Sequence, residues 1–220
     1  MIMKKLFIKE ATLCAAPLTY FFIAFAAMAM IPGYPILVSA FFVCLGIFYT
    51  FQNGRESNDV LFTALLPVKK SDVVRAKFLF CCTIQLASLV LSALLTAVRM
   101  IFIGNASPYG ENPMMNANIA YIGYILIIFA LFNIIFVATY FKTAYNIGKP
   151  FILFCIISML FIGIAETLYR LPALSSLNSA DFSGADLQSI VLIIGIVIYI
   201  AVTAAAVSIS VKRFDKIDVK

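Results

Sequence analysis

Six apolar runs, each between 17 and 26 residues long, divide this sequence into segments separated by short polar gaps. An α-helix needs about 20 apolar residues to cross a hydrocarbon core of about 30 Å. The runs are residues 12–31, 35–51, 78–103, 118–141, 150–168 and 189–211. Lipid offers no partner to backbone polar groups, so each run is expected to be helical. The sequence therefore predicts an all-α, polytopic membrane protein with six transmembrane helices.

Composition supports a single membrane domain that spans residues 1–220. Hydrophobic residues make up 64% of the 220 and charged residues 12%, whereas soluble proteins average about 25% charged residues. The formal net charge is +6, but the basic residues flank the apolar runs and form no aromatic-interleaved patch. This arrangement indicates a lipid bilayer as the partner and argues against nucleic acid.

The distribution of basic residues predicts the orientation. One set of run ends carries Lys4, Lys5, Lys9, Arg55, Lys69, Lys70, Arg75, Lys77, Lys142, Lys149, Lys212, Arg213, Lys216 and Lys220. The opposite set carries Arg99 and Arg170. By the positive-inside rule, both termini and segment 52–78 are cytoplasmic, with 104–117 and 169–188 outside. The first ten residues are expected to lie in the membrane interface, and Pro17 to kink the first span.

Segment 52–78 is the longest polar stretch between two runs. Its first residues favour turns, Asn58 or Asp59 can cap a helix, and Pro67 ends that helix. Residues 60–66 then form a short cytoplasmic helix between spans two and three. Its side chains are apolar nearly all round the axis, so it is expected to be buried against a partner.

The same segment carries a resemblance. Leu66, Pro67, Lys70, Val74, Lys77 and Leu79 stand in an order that resembles the signature of small six-span permease subunits of type-2 ABC exporters. The sequence departs from that signature at Phe78, where the family usually has tyrosine. It also has a thin acidic cluster, formed only by Glu56 and Asp59.

The resemblance implies a permease subunit of a bacterial ATP-driven exporter in the cytoplasmic membrane. Two separate ATPase subunits would bind ATP and magnesium, and a second permease copy or a paralogue would complete the pathway. Relatives export peptides, drugs or lipid-linked molecules. The expected ATPase-coupling residues are Glu56, Asp59, Val60, Leu61, Leu65, Leu66, Pro67 and Lys70. Glu56 and Asp59 are expected to pair with basic residues of the ATPase.

Catalytic chemistry has few candidates in this chain. It contains no histidine, no GxxxxGK[ST] motif and no aspartate or lysine within a predicted span. The five cysteines fall in apolar runs and are interpreted as small apolar residues, with no metal site and no bound cofactor. We therefore expect a protein that is not an enzyme and whose ATP hydrolysis takes place on a partner.

Four polar residues enter the predicted spans. Gln85 and Asn133 share a depth, which favours an interhelical pair that is either structural or part of a substrate path. Arg99 and Glu166 are placed in the outer half, with Arg99 reaching the headgroups. Small residues of the last span are candidates for close helix contact. They are Ala201, Ala205 and Ser208.

Two questions stay open at this point: the class of membrane protein, and the fold of segment 169–188. The chain could be a small pore-forming or immunity-type membrane protein that acts without an ATPase, or, less well supported, a membrane enzyme. Segment 169–188 could fold back as a cap on the outer mouth or rest as a loop on the headgroups.

Overall fold

The computed structural model describes residues 2–64, 66–104, 106 and 112–217, and no strand occurs among them. The N-terminal segment is sharply bent. Helix α1 (Ile2–Lys9) runs into a π-helical turn, Glu10–Cys14. Helix α2 (Pro17–Phe21) then continues as a 3-10 helix, Phe22–Met30, at 99° to the first part. Pro17 suits the first position of α2 because it lacks the N–H that would be unpaired there.

Seven further helices follow in the described chain. They are α3 (Val38–Glu56), α4 (Asp59–Ala64), α5 (Lys70–Val98), α6 (Ile119–Leu131), α7 (Ala138–Tyr140), α8 (Gly148–Leu168) and α9 (Ala185–Asp215). A π-helical turn, Arg99–Ile103, extends α5, and another, Phe132–Val137, joins α6 to α7. A 3-10 segment, Pro172–Asn178, lies between α8 and α9.

Among the described residues, four helical stretches are long and apolar enough to cross a membrane, or up to five if the bent N-terminal pair forms one span. The four are Lys70–Ile103, Ile119–Tyr140, Gly148–Leu168 and Phe182–Asp215. Helix α3 occupies the second predicted span but is not among them, because its last turns contain Gln52, Asn53 and Arg55. A multi-pass membrane protein is confirmed, while six spans stay a prediction.

Helix α5 confirms the helix that the sequence predicts from Ser71 through Arg75 and Lys77 into the third apolar run. It begins at Lys70, whereas the apolar run begins at Phe78, so Lys77 lies inside the helix and is buried. Lys77 therefore belongs to the helical stretch Lys70–Ile103, although it precedes the third apolar run. A buried ammonium needs partners of opposite charge, and these are described below.

Two glycines bring α6 and α9 into backbone contact. A Cβ atom placed on Gly123 would lie 2.6 Å from the carbonyl oxygen of Val191, and one on Gly195 would meet the Gly123 backbone. Such contacts are closer than side chains allow, so both positions require glycine. The candidates from the sequence, Ala201, Ala205 and Ser208, are instead exposed on α9.

We predict that Gly123→Ala destabilises the fold by about 1–3 kcal/mol, because the added methyl group would push the two backbones apart. Thermal unfolding in detergent would measure this loss. Gly163→Ala in α8 is the matched control, since nothing lies within 4 Å of its Cβ position. There, helix propensity should make alanine neutral or stabilising. Equal unfolding temperatures for the two variants would contradict the predicted contact.

Candidate functional site

Four charged side chains form a closed ring beside α4, here called the charge ring: Lys9, Glu10, Asp59 and Lys77. Lys9 Nζ lies 2.9 Å from Glu10 Oε1 and 2.6 Å from Asp59 Oδ1. Lys77 Nζ lies 2.7 Å from Glu10 Oε2 and 3.4 Å from Asp59 Oδ2. Positive and negative groups alternate, so the ring has no net formal charge. It joins the N-terminal segment, α4 and α5.

The charge ring is withdrawn from solvent. The side chains of Glu10 and Lys77 are each 1% exposed, and those of Asp59 and Lys9 are 7% and 12% exposed. Lys9 Nζ also donates to Thr63 Oγ1 at 3.0 Å, and Lys77 Nζ lies 5.2 Å from the centre of the Phe51 ring. Burial of charge is costly, and here each charge has two partners of opposite sign that offset the cost.

Asp59 keeps its charge because of these partners. Burial by itself would raise the pKa of the Asp59 carboxyl, but the ammonium groups of Lys77 and Lys9 outweigh burial and hold that pKa below its ordinary value. A carboxyl with a lowered folded-state pKa stabilises the fold above its unfolded pKa of about 3.9. This contribution is fully present at neutral pH. It is lost as the pH falls through the folded-state pKa.

The chemistry of the charge ring does not favour a metal ion. Ligand atoms of Glu10, Cys14 and Asp59 lie within 4.8 Å of one another, which is close enough to hold a cation. Both carboxylates, however, are already neutralised by the ammonium groups of Lys9 and Lys77. A cation would have to displace two ion pairs, so we assign no metal site here.

Helix α4 presents opposite faces to the bundle and to solvent. Asp59 and Thr63 are buried, and Val60 packs against the core. Phe62 is 60% exposed, and Leu66, just beyond the helix, is 38% exposed. The inward face is therefore partly polar and the outward face apolar, which differs from the helix of uniformly apolar faces that the sequence predicted. The polar side chains point inward because Lys9 and Lys77 bind Asp59.

The remaining predicted coupling residues lie in several places. Leu61 belongs to α4, and Leu65 lies outside the described residues. Glu56 is exposed and accepts a hydrogen bond from Gln52 Nε2 at 3.0 Å. Pro67 is exposed beyond the end of α4.

The side chain of Lys70 contacts the C-terminal end of the last helix. Its ammonium donates to the backbone carbonyls of Asp215 and Ile217, at 3.4 and 2.6 Å. Asp59, which the sequence offered to a partner's basic residues, is already paired inside the chain. The role of this set in ATPase coupling stays a prediction.

The structure pairs Gln85 with Asn133, as their common depth indicated. Gln85 Nε2 donates to Asn133 Oδ1 at 3.0 Å, and Asn133 Nδ2 donates to Gln85 Oε1 at 3.2 Å. Two residues of α9 complete the group: Tyr199 OH donates to Gln85 Oε1 at 2.9 Å, and Thr203 Oγ1 accepts from Asn133 Nδ2 at 3.0 Å. The amides thus hold α5, α9 and the π-helical turn after α6 together.

Arg99 does not reach the headgroups, so that prediction is wrong. Its side chain is completely buried and donates to the Ala29 carbonyl at 2.8 Å and to Asn116 Oδ1 at 2.6 Å. The nearby backbone carbonyl and amide provide acceptors that make snorkelling unnecessary. Glu166 is also buried, and its carboxylate accepts the N–H of Met115 at 3.1 Å.

The segment between α8 and α9 folds onto the end of α6. Asn118 Nδ2 donates to the Leu177 carbonyl at 2.7 Å, and the Asn116 N–H donates to Asn178 Oδ1 at 2.7 Å. Leu177 is buried. Of the two alternatives left open by the sequence, a folded cap on this end of the bundle agrees with these contacts.

Sequence reasoning missed Lys9 and Glu10 as site residues and treated Lys77 only as part of a signature. A carboxylate at the start of an apolar run, as at Glu10, is a signal that could have prompted a search for a buried cation.

Comparison with known families decides what kind of protein this is. A family model described as an ABC-2 family transporter protein matches residues 1–215. The chain belongs to the ABC-2 transporter family. No curated protein and no solved structure matches it. The resemblance read from Leu66-Pro67 and Lys77 is thereby confirmed, and a membrane subunit of a transporter, rather than an enzyme, agrees with this family.

In this ABC-2 transporter protein two members of the charge ring, Asp59 and Lys77, lie in segment 52–78, which carried the signature. Pro67 and Lys77 belong to that signature, and Lys77 closes the ring by binding both Glu10 and Asp59. The signature lysine thus has a structural task in this chain. It fixes α4 and the N-terminal segment to α5.

We predict that Glu10→Gln lowers the free energy of unfolding by about 3–5 kcal/mol, because it leaves the ring with a buried positive charge that lacks a full partner. Thermal unfolding in detergent would measure the loss. The double variant Glu10→Gln, Lys77→Gln restores charge balance and should lose less than the two single variants added together. Glu56→Gln is the control, since its carboxylate is exposed. A Glu10→Gln protein as stable as this control would contradict the role of the ring.

We predict that Asn133→Leu destabilises the bundle by about 1–3 kcal/mol, because Gln85 would keep a buried amide with fewer partners. The double variant Gln85→Leu, Asn133→Leu should cost less than the sum of its single variants. A double-mutant cycle on thermal unfolding measures this coupling. Additive losses would show that the two amides stabilise the protein independently and would contradict a shared network.

Proposed function

We propose that this chain is the membrane-spanning permease subunit of a bacterial ATP-driven exporter and that a separate ATPase subunit drives it. Membership of the ABC-2 transporter family supports the transport role. The chain has no GxxxxGK[ST] motif, so ATP and magnesium would bind to the partner. Two ATPase subunits and a second permease copy or paralogue complete the exporter in this proposal.

The observation that carries this proposal is that α4 has an exposed apolar side and a buried side held by ion pairs. The exposed side of its segment offers Phe62 and Leu66 to a partner, while its buried side is fixed by Asp59. Contiguous apolar patches exposed outside a bilayer are typical of interaction surfaces. Force applied to Phe62 would reach Lys9 and Lys77 through the ring. An ATPase that docks here would therefore move the N-terminal segment and α5 together.

The proposed orientation places α4, the basic run ends and both termini in the cytoplasm. Lys69, Lys142 and Lys212 support this choice under the positive-inside rule. Helix α3 serves as the second of six spans, and its polar last turns would emerge into the cytoplasmic headgroups just before α4. The cap formed by 172–178 would then face the outside.

We predict that Phe62→Asp with Leu66→Asp removes the ATPase from the permease and abolishes ATP-dependent export. Charged groups would replace the apolar contact, and loss of such contacts at an interface weakens binding by at least tenfold. Copurification from native membranes and export by intact cells are the measurements. Both residues are exposed, so the fold should survive.

The matched control is Leu171→Asp with Phe182→Asp. These two residues are 53% and 60% exposed. They lie just after α8 and just before α9, at the end of the bundle opposite to α4. This variant should keep its ATPase. If the α4 variant still copurifies a stoichiometric ATPase and still exports, the proposed docking surface is wrong. If the unmodified chain brings no ATPase with it, the pore-forming or immunity-type alternative is favoured.

A further inference from the structure

A cavity of about 290 Å³ lies between α7 and the first turns of α8. Its walls include Thr139, Lys142, Thr143, Asn146, Lys149 and Leu153. The guanidinium of Arg55, at the end of α3, lies 5.6 Å from the centre of the Tyr145 ring in the same loop. The cavity is therefore at the basic end of the bundle, where α4 also lies, and at the mouth of the span that α8 forms.

One part of the cavity lining offers hydrogen-bond donors and positive charge. Lys142 and Lys149 are exposed, and neither makes an ion pair with another described residue. Thr143 Oγ1 accepts the N–H groups of Tyr145 and Asn146, at 3.4 and 3.0 Å. Its own hydroxyl hydrogen is thus available to a ligand. Two ammonium groups and a hydroxyl donor suit an anion with several oxygens, such as a phosphodiester.

The part of the lining that belongs to α8 is apolar, and this apolar surface continues along the exposed side of the helix. Leu153 lines the cavity and is 51% exposed. Ile156, Leu160 and Ile164 follow it at helical spacing and are 55%, 63% and 62% exposed. A largely apolar cavity with two ammonium groups at its rim, beside a long apolar stripe, matches a molecule with an anionic head and an aliphatic tail. A free phosphate ion would leave the stripe without a role.

We propose that this cavity binds the headgroup of an anionic phospholipid, with its phosphate between Lys142 and Lys149 and an acyl chain along α8. Basic pockets beside transmembrane helices are suited to such headgroups because the attraction adds to burial of the tail. The proposal does not depend on ATPase coupling. It assigns a ligand to the loop between α7 and α8.

The test titrates the full-length chain in detergent with phosphatidylglycerol and counts bound lipid by native mass spectrometry. Lys142→Gln with Lys149→Gln should weaken binding about thirtyfold, the effect expected for two lysines at a membrane surface. Lys142→Arg with Lys149→Arg should retain binding because it keeps both charges. The matched control, Lys69→Gln with Lys212→Gln, removes two exposed lysines from the same end of the bundle and should bind as the unmodified chain does.

Three outcomes would overturn the proposal. Equal losses in the two glutamine pairs would show a general effect of charge rather than a site. Equal affinity of the unmodified chain for phosphatidylcholine would show that the anionic head is not recognised. Competition by soluble glycerol phosphate at the affinity of the lipid would identify a free-phosphate site instead. Thermal unfolding of each variant verifies that only folded protein is compared.

Discussion

Two lysines and two carboxylates, all withdrawn from solvent, determine where α4 can lie. Glu10 comes from the bent N-terminal segment, Asp59 from α4 and Lys77 from α5. The charges of three separate parts of the chain therefore neutralise one another. None of them can leave without exposing an unpaired charge in the protein interior. The geometry makes this corner of the bundle a single mechanical unit. The exposed side chains around α4 are the surface by which a partner could act on it.

The apolar runs predicted the helices well because lipid leaves little freedom for a long apolar segment. The run at 150–168 corresponds to α8 at Gly148–Leu168, and the run at 118–141 to α6 through α7. Hydropathy does not explain the burial of the first turns of α5. Hydropathy placed the start of the third run at Phe78, and Lys77, just before that run, is buried because its charge is paired. Hydropathy treats each residue alone and cannot include such pairing.

Some polar contacts could be predicted from the sequence, and others could not. Gln85 and Asn133 were found because depth along two helices is readable from residue numbers. The partners of Arg99 were not, because Ala29 and Asn116 come close only when the bent first segment and the 112–118 loop pack together. The glycine contact of α6 with α9 was missed for the same reason. A glycine alone does not reveal which backbone lies opposite.

The separation of Glu10 from Lys77 along the chain has a consequence for biogenesis. Glu10 leaves the ribosome 67 residues before the lysine that will neutralise it, and chains assemble from the N-terminus during synthesis. Until α5 is made, Glu10 has only Lys9 beside it, and the ion pair with Lys77 that accompanies its burial cannot form. Glu10 lies just before the 99° bend that separates Ile2–Cys14 from Pro17–Met30. The N-terminal segment can thus complete its packing against α5 only after Lys77 has been made, so this corner of the bundle depends on a part of the chain that is synthesised later.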